Sequence, residues 1–358
     1  MASNPADESM PFEVLAYQSF VVGMKLHWTN TLYDKVVDEA QALGLSDPKK
    51  IEKKMQGSTT YQYYGWLEHY LQQYKFLGRW GFMSHFEPRE DDLQEIVDKY
   101  AEIESDMLEL NPDIKFPKYY TLGDFHQFPG GVWINNTSVH SYEQGSRTTM
   151  PTHSAHADLH TRYVRMIKKL GKVKKVLDEG CGFGKTTMSL KKEMPKADVV
   201  GVDLSEPCLK LAHRRAVEEK MPIKFVQDDI ERMKFEDDSF DIIAGSMVLH
   251  EMPPRAIRNT FKEARRVLKK GGYYTHLDFY DPPGGDVGKF IYYGHAARNR
   301  EPYMITMDKM DLTQELEKAG FTDVRVEPFE EYDGALRNGE NIPEEWRFPW
   351  TVIIAKAA

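Results

Sequence analysis

The sequence predicts an α/β fold: a seven-stranded, mostly parallel sheet with an antiparallel last strand, preceded by a mainly helical N-terminal region. The apolar run Val176–Glu179 ends in the glycine turn Gly180–Gly184, and a helix-type segment follows, which is the pattern of a buried parallel strand. Near the C-terminus, Val324–Pro328 and Trp350–Ala355 are strand-type runs without a predicted helix between them. Strands joined in this way pair antiparallel, because a parallel pair needs a crossover connection.

The middle strands follow at intervals that leave room for helices. Asp198–Asp203 ends in a carboxylate, and Ser205 after it is typical of a helix cap. A later helix opens at Pro253 and ends before Gly271, as expected from the preference for proline first and glycine last. Because parallel strands end at one edge of a sheet, the polar residues at these ends should share a site. The other predicted strands are Ile223–Gln227, Phe240–Ser246 and Tyr273–Phe279.

The glycine turn and Asp203 together indicate a nucleoside site. Gly180, Gly182 and Gly184 have no Cβ, so the main chain can turn sharply and a ligand can press against it. Asp203 can accept two hydrogen bonds from ribose hydroxyls. A dinucleotide fingerprint has its third glycine three positions beyond the second, whereas Gly184 is only two beyond Gly182. A nicotinamide oxidoreductase is therefore the weaker interpretation.

Five motifs in a fixed order carry a family resemblance. They are DEGCGFG, GVDLS, QDDIE, DDSFDIIAGSMVLHEM and EARRVLKKGGYY. Over about residues 172 to 358 the chain resembles the class I S-adenosylmethionine-dependent methyltransferases, and among them the small-molecule branch that includes the ubiquinone and menaquinone biosynthesis enzymes. The resemblance implies a Rossmann-like methyltransferase sheet and S-adenosyl-L-methionine as cofactor.

The same resemblance implies which residues contact the cofactor. The glycines of the turn would approach the methionine and ribose portions, with Asp178 or Glu179 near the methionine ammonium group. Asp229 and the Ile230 amide would bind the adenine, and Ser246 would lie beside the sulfonium. The implied cofactor-binding set is Asp178, Glu179, Gly180, Gly182, Gly184, Asp203, Leu204, Asp229, Ile230, Ser246 and Tyr142.

Catalysis of methyl transfer needs mainly alignment of the acceptor and exclusion of water, and a base only where the acceptor must lose a proton. His250 and Glu251 follow the fourth core strand, and His153 lies just before the core, so these three are the catalytic candidates. The alternative for His250 and Glu251 is that they cap the next helix or bind each other. His156 and His160 are four residues apart, but no third ligand has suitable spacing, so no metal is expected.

Composition limits the partners. The net charge of −9 disfavours a polyanion, so nucleic acid is not an expected acceptor. Cys181 and Cys208 are the only two cysteines and have no disulfide or zinc spacing, which suits a cytoplasmic protein. Neither a signal peptide nor a membrane span is expected, because the N-terminus is polar and acidic and the apolar run after it contains Glu13 and is soon followed by Lys25.

The chain is expected to divide into a helical cap, residues 1–135, a cofactor-covering segment, 136–171, and a core, 172–358, with a substrate-side insert at 282–305. The predicted activity is methylation of a small-molecule acceptor, with carbon or oxygen favoured over nitrogen or sulfur. A cofactor-binding subunit without catalysis is the alternative from another class. A homodimer is a candidate assembly.

Overall fold

The computed structural model describes residues 10–131, 133–146, 159–330 and 350–358, and its centre is one eight-stranded sheet. The strands are β1 (Leu108–Glu109), β2 (Lys175–Glu179), β3 (Asp198–Asp203), β4 (Lys224–Gln227), β5 (Phe240–Ser246), β6 (Leu268–Phe279), β7 (Phe321–Pro328) and β8 (Trp350–Ala357). Their order is β1-β4-β3-β2-β5-β6-β8-β7, and β8 alone runs antiparallel to both neighbours. The predicted seven-stranded sheet with an antiparallel last strand is confirmed.

Helices cover both faces of this sheet. On one face, Tyr163 and Ile167 of α8 pack with apolar residues of α9 and α10, while Phe261 of α11 and Leu316 of α14 belong to the core on the other face. These are the amphipathic crossovers that a parallel sheet requires. The helices are α8 (Leu159–Lys168), α9 (Lys185–Glu193), α10 (Glu206–Glu218), α11 (Pro254–Val267) and α14 (Leu312–Lys318).

The N-terminal region is mainly helical, as the sequence predicts, and has an apolar core of its own that includes Val36, Ile51 and Leu71. A π-helical turn, Trp28–Leu32, joins its first two helices. The helices of this region are α1 (Phe12–His27), α2 (Tyr33–Ala42), α3 (Pro48–Met55), α4 (Thr59–Phe76), α5 (Phe82–Phe86), α6 (Glu90–Ala101) and α7 (Asn136–Ser146). None of the helices within the described ranges is both long and apolar enough to cross a bilayer.

The strand β1 corrects one detail of the sequence prediction. The acidic pattern after Asp91 predicts a helix as far as Leu110, but α6 ends at Ala101. Glu104 then adopts a left-handed conformation with φ +50°, which an α-helix cannot contain. Leu108 and Glu109 gain ladder partners on β4 instead. The cap and the core are therefore joined through the sheet, while the proposed division at residue 135 stays a prediction.

The insert at 282–305 contains a helix, α12 (Gly285–Asn299), and α13 (Met304–Asp308) begins at its end. Its length suggests a functional loop, and the sequence does not predict a helix there. Phe290 and Ile291 pack into the core of the N-terminal helices, whereas Tyr292 and Ala296 pack into the core of the sheet. Burying a large apolar side chain contributes about 1.5–3 kcal/mol, so α12 is a substantial link between the two cores.

A buried ion cluster strengthens this link. Glu68 of α4 is 5% exposed and accepts hydrogen bonds from His295 Nδ1, at 2.5 Å, and from Arg298 Nε, both on α12. Burial favours the neutral acid, but Arg298 and His295 hold the pKa of Glu68 below its ordinary value. Asn299 lies in the same cluster, with its amide 3.5 Å from Glu68 Oε1.

Glu68→Ala is expected to lower the free energy of unfolding by about 3–5 kcal/mol, because it leaves the Arg298 charge buried without its carboxylate. Denaturant unfolding followed by circular dichroism would measure this change. The matched control is Arg258→Ala, which breaks the half-exposed ion pair with Glu315 and should cost less than about 1 kcal/mol. Equal losses for the two variants would contradict a structural role for the buried cluster.

Candidate active site

A cavity of about 300 Å³ lies at the carboxyl ends of the central strands, between the sheet and the N-terminal helices. The turns after β2, β3 and β5 form one side of it. Trp28, Leu71 and Phe125 of the N-terminal region contribute to the opposite wall. Ligands of open α/β sheets bind at this edge, so the cavity is the candidate active site.

The turn between β2 and α9 presents its backbone to the cavity. Gly180 and Gly182 line the cavity and have φ values of +63° and +50°, which side chains with a Cβ rarely adopt. A Cβ added at Gly182 would meet no atom of the described residues within 4 Å, apart from its chain neighbours. The main chain at Gly182 therefore borders open space that a ligand can fill. Gly184 lies behind the turn, where it packs against Ala212 and precedes α9.

Asp203 connects this turn to the next one. Its Oδ2 accepts the Gly182 N–H and its Oδ1 accepts the Ser205 N–H, both at 2.8 Å. Burial raises the pKa of Asp203, although these backbone hydrogen bonds act in the opposite direction. Leu204 and Ile230 line the cavity near it as apolar side chains.

Three of the implied cofactor-binding acids do not line the cavity. Asp178 accepts a hydrogen bond from Thr187 Oγ1 at 2.5 Å, and burial raises its pKa to about 7. Glu179 accepts one from the Tyr274 hydroxyl at 2.7 Å. Asp229 accepts the Glu231 N–H at 2.9 Å, and its neighbour Asp228 lines the cavity instead.

Ser246 and Tyr142 both line the cavity. The Ser246 hydroxyl lies 2.9 Å from Thr186 Oγ1, which is 2.8 Å from His160 Nδ1. Tyr142 of α7 stacks on the His126 ring, with centroids 5.6 Å apart and planes at 21°. Of the segment from 136 to 171, the residues Tyr142, Ser146 and His160 line the cavity in the described part of the chain.

His250 lines the cavity from the turn after β5 and belongs to a buried pair. Its Nδ1 is 2.6 Å from Asp278 Oδ1, and both residues are at most 2% exposed. Burial would lower the pKa of His250, but the Asp278 carboxylate raises it above its ordinary value. The Nε2 atom is buried without a hydrogen-bond partner among the described residues. His250 therefore presents an unused nitrogen to the cavity.

Glu251 also lines the cavity and pairs with a residue that the sequence analysis did not single out. His126 Nε2 lies 2.9 Å from Glu251 Oε1, and His126 Nδ1 lies 2.5 Å from Glu301 Oε1. His250 and Glu251 are 3.9 Å apart and each has a closer partner of its own. The third catalytic candidate, His153, lies outside the described residues, as does His156.

Unusual backbone angles mark the segment that carries His126. His126 and Gln127 have φ values of +54° and +61°. Such backbone conformations cost about 1–3 kcal/mol each and persist only where surrounding contacts hold them. Gln127 is held by its side chain, which donates to the Arg298 carbonyl at 2.6 Å. The sequence FHQFPGGVW gives only a turn signal here, so no local pattern identifies His126 as a site residue.

The cavity fits S-adenosylmethionine at the end where the sequence places it. Gly182 leaves room for a ligand beside the main chain, and Asp203 and Ser246 reach the same cavity. Ile230 and Leu204 supply apolar walls that suit an adenine ring. The residues present therefore provide the shape and the polar groups that a nucleoside with a sulfonium side chain needs.

Comparisons with known proteins agree. Residues 176–272 match a family model described as "Methyltransferase domain". The demethylmenaquinone methyltransferase of Staphylococcus aureus, in strains JH9 and Newman alike, is 31% identical over 186 residues, covering 46% of this chain and 76% of that protein.

Two solved structures overlap weakly with the chain. One is a SAM-dependent methyltransferase from Archaeoglobus fulgidus, with 20% identity, a TM-score of 0.46, and coverage of 61% of this chain and 99% of that one. The other is a phosphoethanolamine N-methyltransferase 2 from Haemonchus contortus with S-adenosylhomocysteine, with 20% identity, a TM-score of 0.42, and coverage of 59% and 58%. The assignment rests on the sequence match: a relative this similar over three quarters of its own length shows that the chain belongs to the class I S-adenosylmethionine-dependent methyltransferases, enzymes that use S-adenosylmethionine as cofactor.

Proposed function

We propose that this enzyme methylates a carbon or oxygen atom of a small, aromatic acceptor that must lose a proton. The observation that carries the proposal is that one cavity is lined by the glycine turn and Asp203 as well as by His250 and Glu251. Cofactor and acceptor would then meet in the same cavity, where the methyl group can be aligned with the acceptor.

Residues at the core end of the cavity would hold the cofactor. The Gly180 and Gly182 backbone would lie against it, Asp203 would accept from the ribose hydroxyls, and Ser246 and Tyr142 would border the methionine end. When bound, S-adenosylmethionine supplies an electrophilic methyl group. Asp178, Glu179, Gly184 and Asp229 would act behind these residues, by fixing the turns that carry them.

The acceptor end of the cavity, lined by Phe125, Phe279 and His250, favours an aromatic acceptor with an acidic hydrogen. Phe125 and Phe279 provide aromatic surface, and the Nε2 of His250 lies beside the same space. A phenol, quinol or enol needs a group that removes its hydroxyl proton or stabilises the oxygen anion that remains. A tertiary amine or a thioether has no such proton to lose. The name of the Staphylococcus aureus relative, a demethylmenaquinone methyltransferase, agrees with a quinol-like acceptor.

The first test is a calorimetric titration with S-adenosylhomocysteine, followed by transfer of labelled methyl from S-adenosylmethionine to a panel of small phenols, naphthoquinols, amines and thiols. We expect micromolar, one-to-one binding and label on carbon or oxygen. Label on nitrogen or sulfur of the panel would contradict the acceptor class and favour the alternative small-metabolite methylation. Binding without any transfer to phenols or quinols would also count against the proposal.

The cytoplasm is the proposed site of action. Cys181 and Cys208, the only cysteines of the chain, are both buried and free, as is usual in a reducing compartment. Fractionation of cells that express a tagged chain would test this placement. The oligomeric state, including a homodimer, stays a prediction.

A further inference from the structure

Three side chains of metal-ligating type converge at the acceptor end of the cavity. His126, His250 and Glu301 each offer one ligand atom, and the three atoms lie within 4.8 Å of one another. His126 lies between β1 and α7, His250 lies in the turn after β5, and Glu301 follows the end of α12. The first and the last of them are 175 positions apart in the sequence. Their convergence is a property of the fold and not of a local motif.

Two of these side chains have polar atoms that nothing in the described chain satisfies. His250 Nε2 and Glu301 Oε2 are buried without hydrogen-bond partners, and they lie 4.0 Å apart. Such atoms are costly to bury unpaired, which makes a missing partner the natural explanation. Ligands on a common ion at about 2.1 Å lie roughly 3–4 Å apart, so this pair already has a suitable separation.

The second nitrogen of each histidine binds a different carboxylate. His250 Nδ1 is held by Asp278 at 2.6 Å, and His126 Nε2 is held by Glu251 at 2.9 Å. A histidine that ligates a metal commonly donates its other ring N–H to a carboxylate, which fixes the orientation of the ring. His250 Nε2 and His126 Nδ1 are then left to face the same point. Glu301 Oε1, now 2.5 Å from His126 Nδ1, would turn to the ion with it.

We propose that His126 Nδ1, His250 Nε2 and the Glu301 carboxylate bind one divalent transition-metal ion of the zinc type. Two imidazoles and one carboxylate suit zinc, whereas magnesium prefers oxygen ligands. Three protein ligands leave at least one coordination position, which faces the acceptor end of the cavity.

This inference rests on the proposed function and deepens it. An acceptor hydroxyl bound to the ion would release its proton to water more easily, because the cation stabilises the oxygen anion. That oxygen would attack the methyl carbon directly while the bond between methyl and sulfur breaks and S-adenosylhomocysteine leaves. Alternatively its charge would pass into the aromatic ring, a ring carbon would attack the methyl group in the same way, and the proton of that carbon would then pass to water. The site thus favours acceptors with a phenolic, quinolic or enolic hydroxyl over amines.

The alternative without an ion is an ion pair. A protonated His126 would bridge Glu251 and Glu301. Burial would lower the pKa of His126, but the Glu301 and Glu251 carboxylates raise it well above its ordinary value. That arrangement leaves His250 Nε2 without a role. The two alternatives differ in whether the purified chain binds metal stoichiometrically.

The test uses chain stripped with a chelator and then titrated with Zn²⁺ against a chromophoric competitor, with Mn²⁺ and Mg²⁺ in parallel. We expect one Zn²⁺ per chain at micromolar affinity or tighter, and weak or no binding of Mg²⁺. His250→Gln and Glu301→Gln should each weaken Zn²⁺ binding at least about 100-fold. Cobalt substituted for zinc should give visible absorption bands that both variants lose.

Two controls separate this site from other histidines. His27→Gln changes an exposed histidine of α1, and a double variant, His153→Ala with His156→Ala, removes two of the histidines before the core. Both should keep the wild-type zinc stoichiometry. Binding that is lost in the double variant but kept in His250→Gln would overturn the proposal, as would the absence of stoichiometric zinc binding.

The titration with S-adenosylhomocysteine is repeated on every sample. Intact binding in the two site variants shows that they are folded, so their loss of zinc can be assigned to the ligands. Intact S-adenosylhomocysteine binding by a wild-type chain that binds no zinc would overturn the metal site alone. The proposed methylation of a small acceptor would still stand in that case.

Discussion

Asp203→Ala is expected to weaken S-adenosylhomocysteine binding by at least about 100-fold while the chain stays folded. The carboxylate is proposed to accept two ribose hydroxyl hydrogen bonds, and bonds to charged groups contribute about 1.5–3 kcal/mol each. The same side chain holds the Gly182 and Ser205 N–H groups, so its loss also loosens both turns of the site. Calorimetry gives the affinity, and far-ultraviolet circular dichroism checks the fold.

The matched control for this variant is Asp198→Ala. Asp198 is the first residue of β3, exposed at the opposite end of the strand from Asp203. Asp198→Ala removes the same charge from the same strand at a residue that does not line the cavity, so the affinity for S-adenosylhomocysteine should not change. Tight binding of S-adenosylhomocysteine by Asp203→Ala would mean that the ribose is held elsewhere.

His250→Gln is expected to lower the turnover number for the acceptor by about 10²- to 10⁴-fold, the usual range for a group that manages a proton in the transition state. Binding of S-adenosylhomocysteine should be unaffected, because His250 is not among the residues proposed to contact the cofactor. Steady-state kinetics with the best acceptor of the panel and a calorimetric titration measure the two effects separately. The reason for the loss is the Nε2 atom, which takes the acceptor proton directly or holds the proposed ion that makes the acceptor hydroxyl more acidic. This atom has no hydrogen-bond partner within the described chain.

Asp278→Asn serves as the comparison for His250→Gln. Asp278 accepts the Leu249 and Phe279 N–H groups as well as holding His250, so an amide keeps part of this network. Because Asp278 acts by orienting His250, Asp278→Asn should lower the turnover number less than His250→Gln does. Unchanged turnover in His250→Gln would assign activation of the acceptor to another group, or show that none is needed.

The parallel core could be predicted because its signals are local. The apolar run of β2, the glycines after it and the carboxylate of Asp203 all lie within 30 residues, and each has a direct physical meaning. The spacing of Gly182 and Gly184 made a dinucleotide the weaker interpretation, and the five ordered motifs then indicated S-adenosylmethionine through the family resemblance. That cofactor is confirmed. The unpaired β-type runs at the C-terminus likewise predicted the antiparallel strand correctly.

The acceptor side could not be predicted in the same way. His126 and Glu301 become neighbours only through the packing of α12 against the cap, and no periodicity in the sequence encodes that contact. β1 has two residues, too few for an alternating pattern. The sequence also did not show which of the two acids faces the ligand. Asp178 and Glu179 are consecutive in β2, so their side chains point to opposite faces of the sheet. Asp178 accepts a hydrogen bond from Thr187 and Glu179 accepts one from Tyr274, and neither acid lines the cavity.

The position of α12 between the two cores has a consequence for the order of folding. The hydrogen bond from His295 to Glu68 joins residues 227 positions apart, and such distant contacts form slowly because a long loop must first close. During synthesis on the ribosome, α4 would emerge long before α12. The face of α4 that packs against α12 in the native structure would therefore lack this contact while most of the sheet is still being synthesised. The acceptor end of the cavity is therefore expected to be among the last parts of the native structure to form, after the glycine turn and Asp203 are already in place.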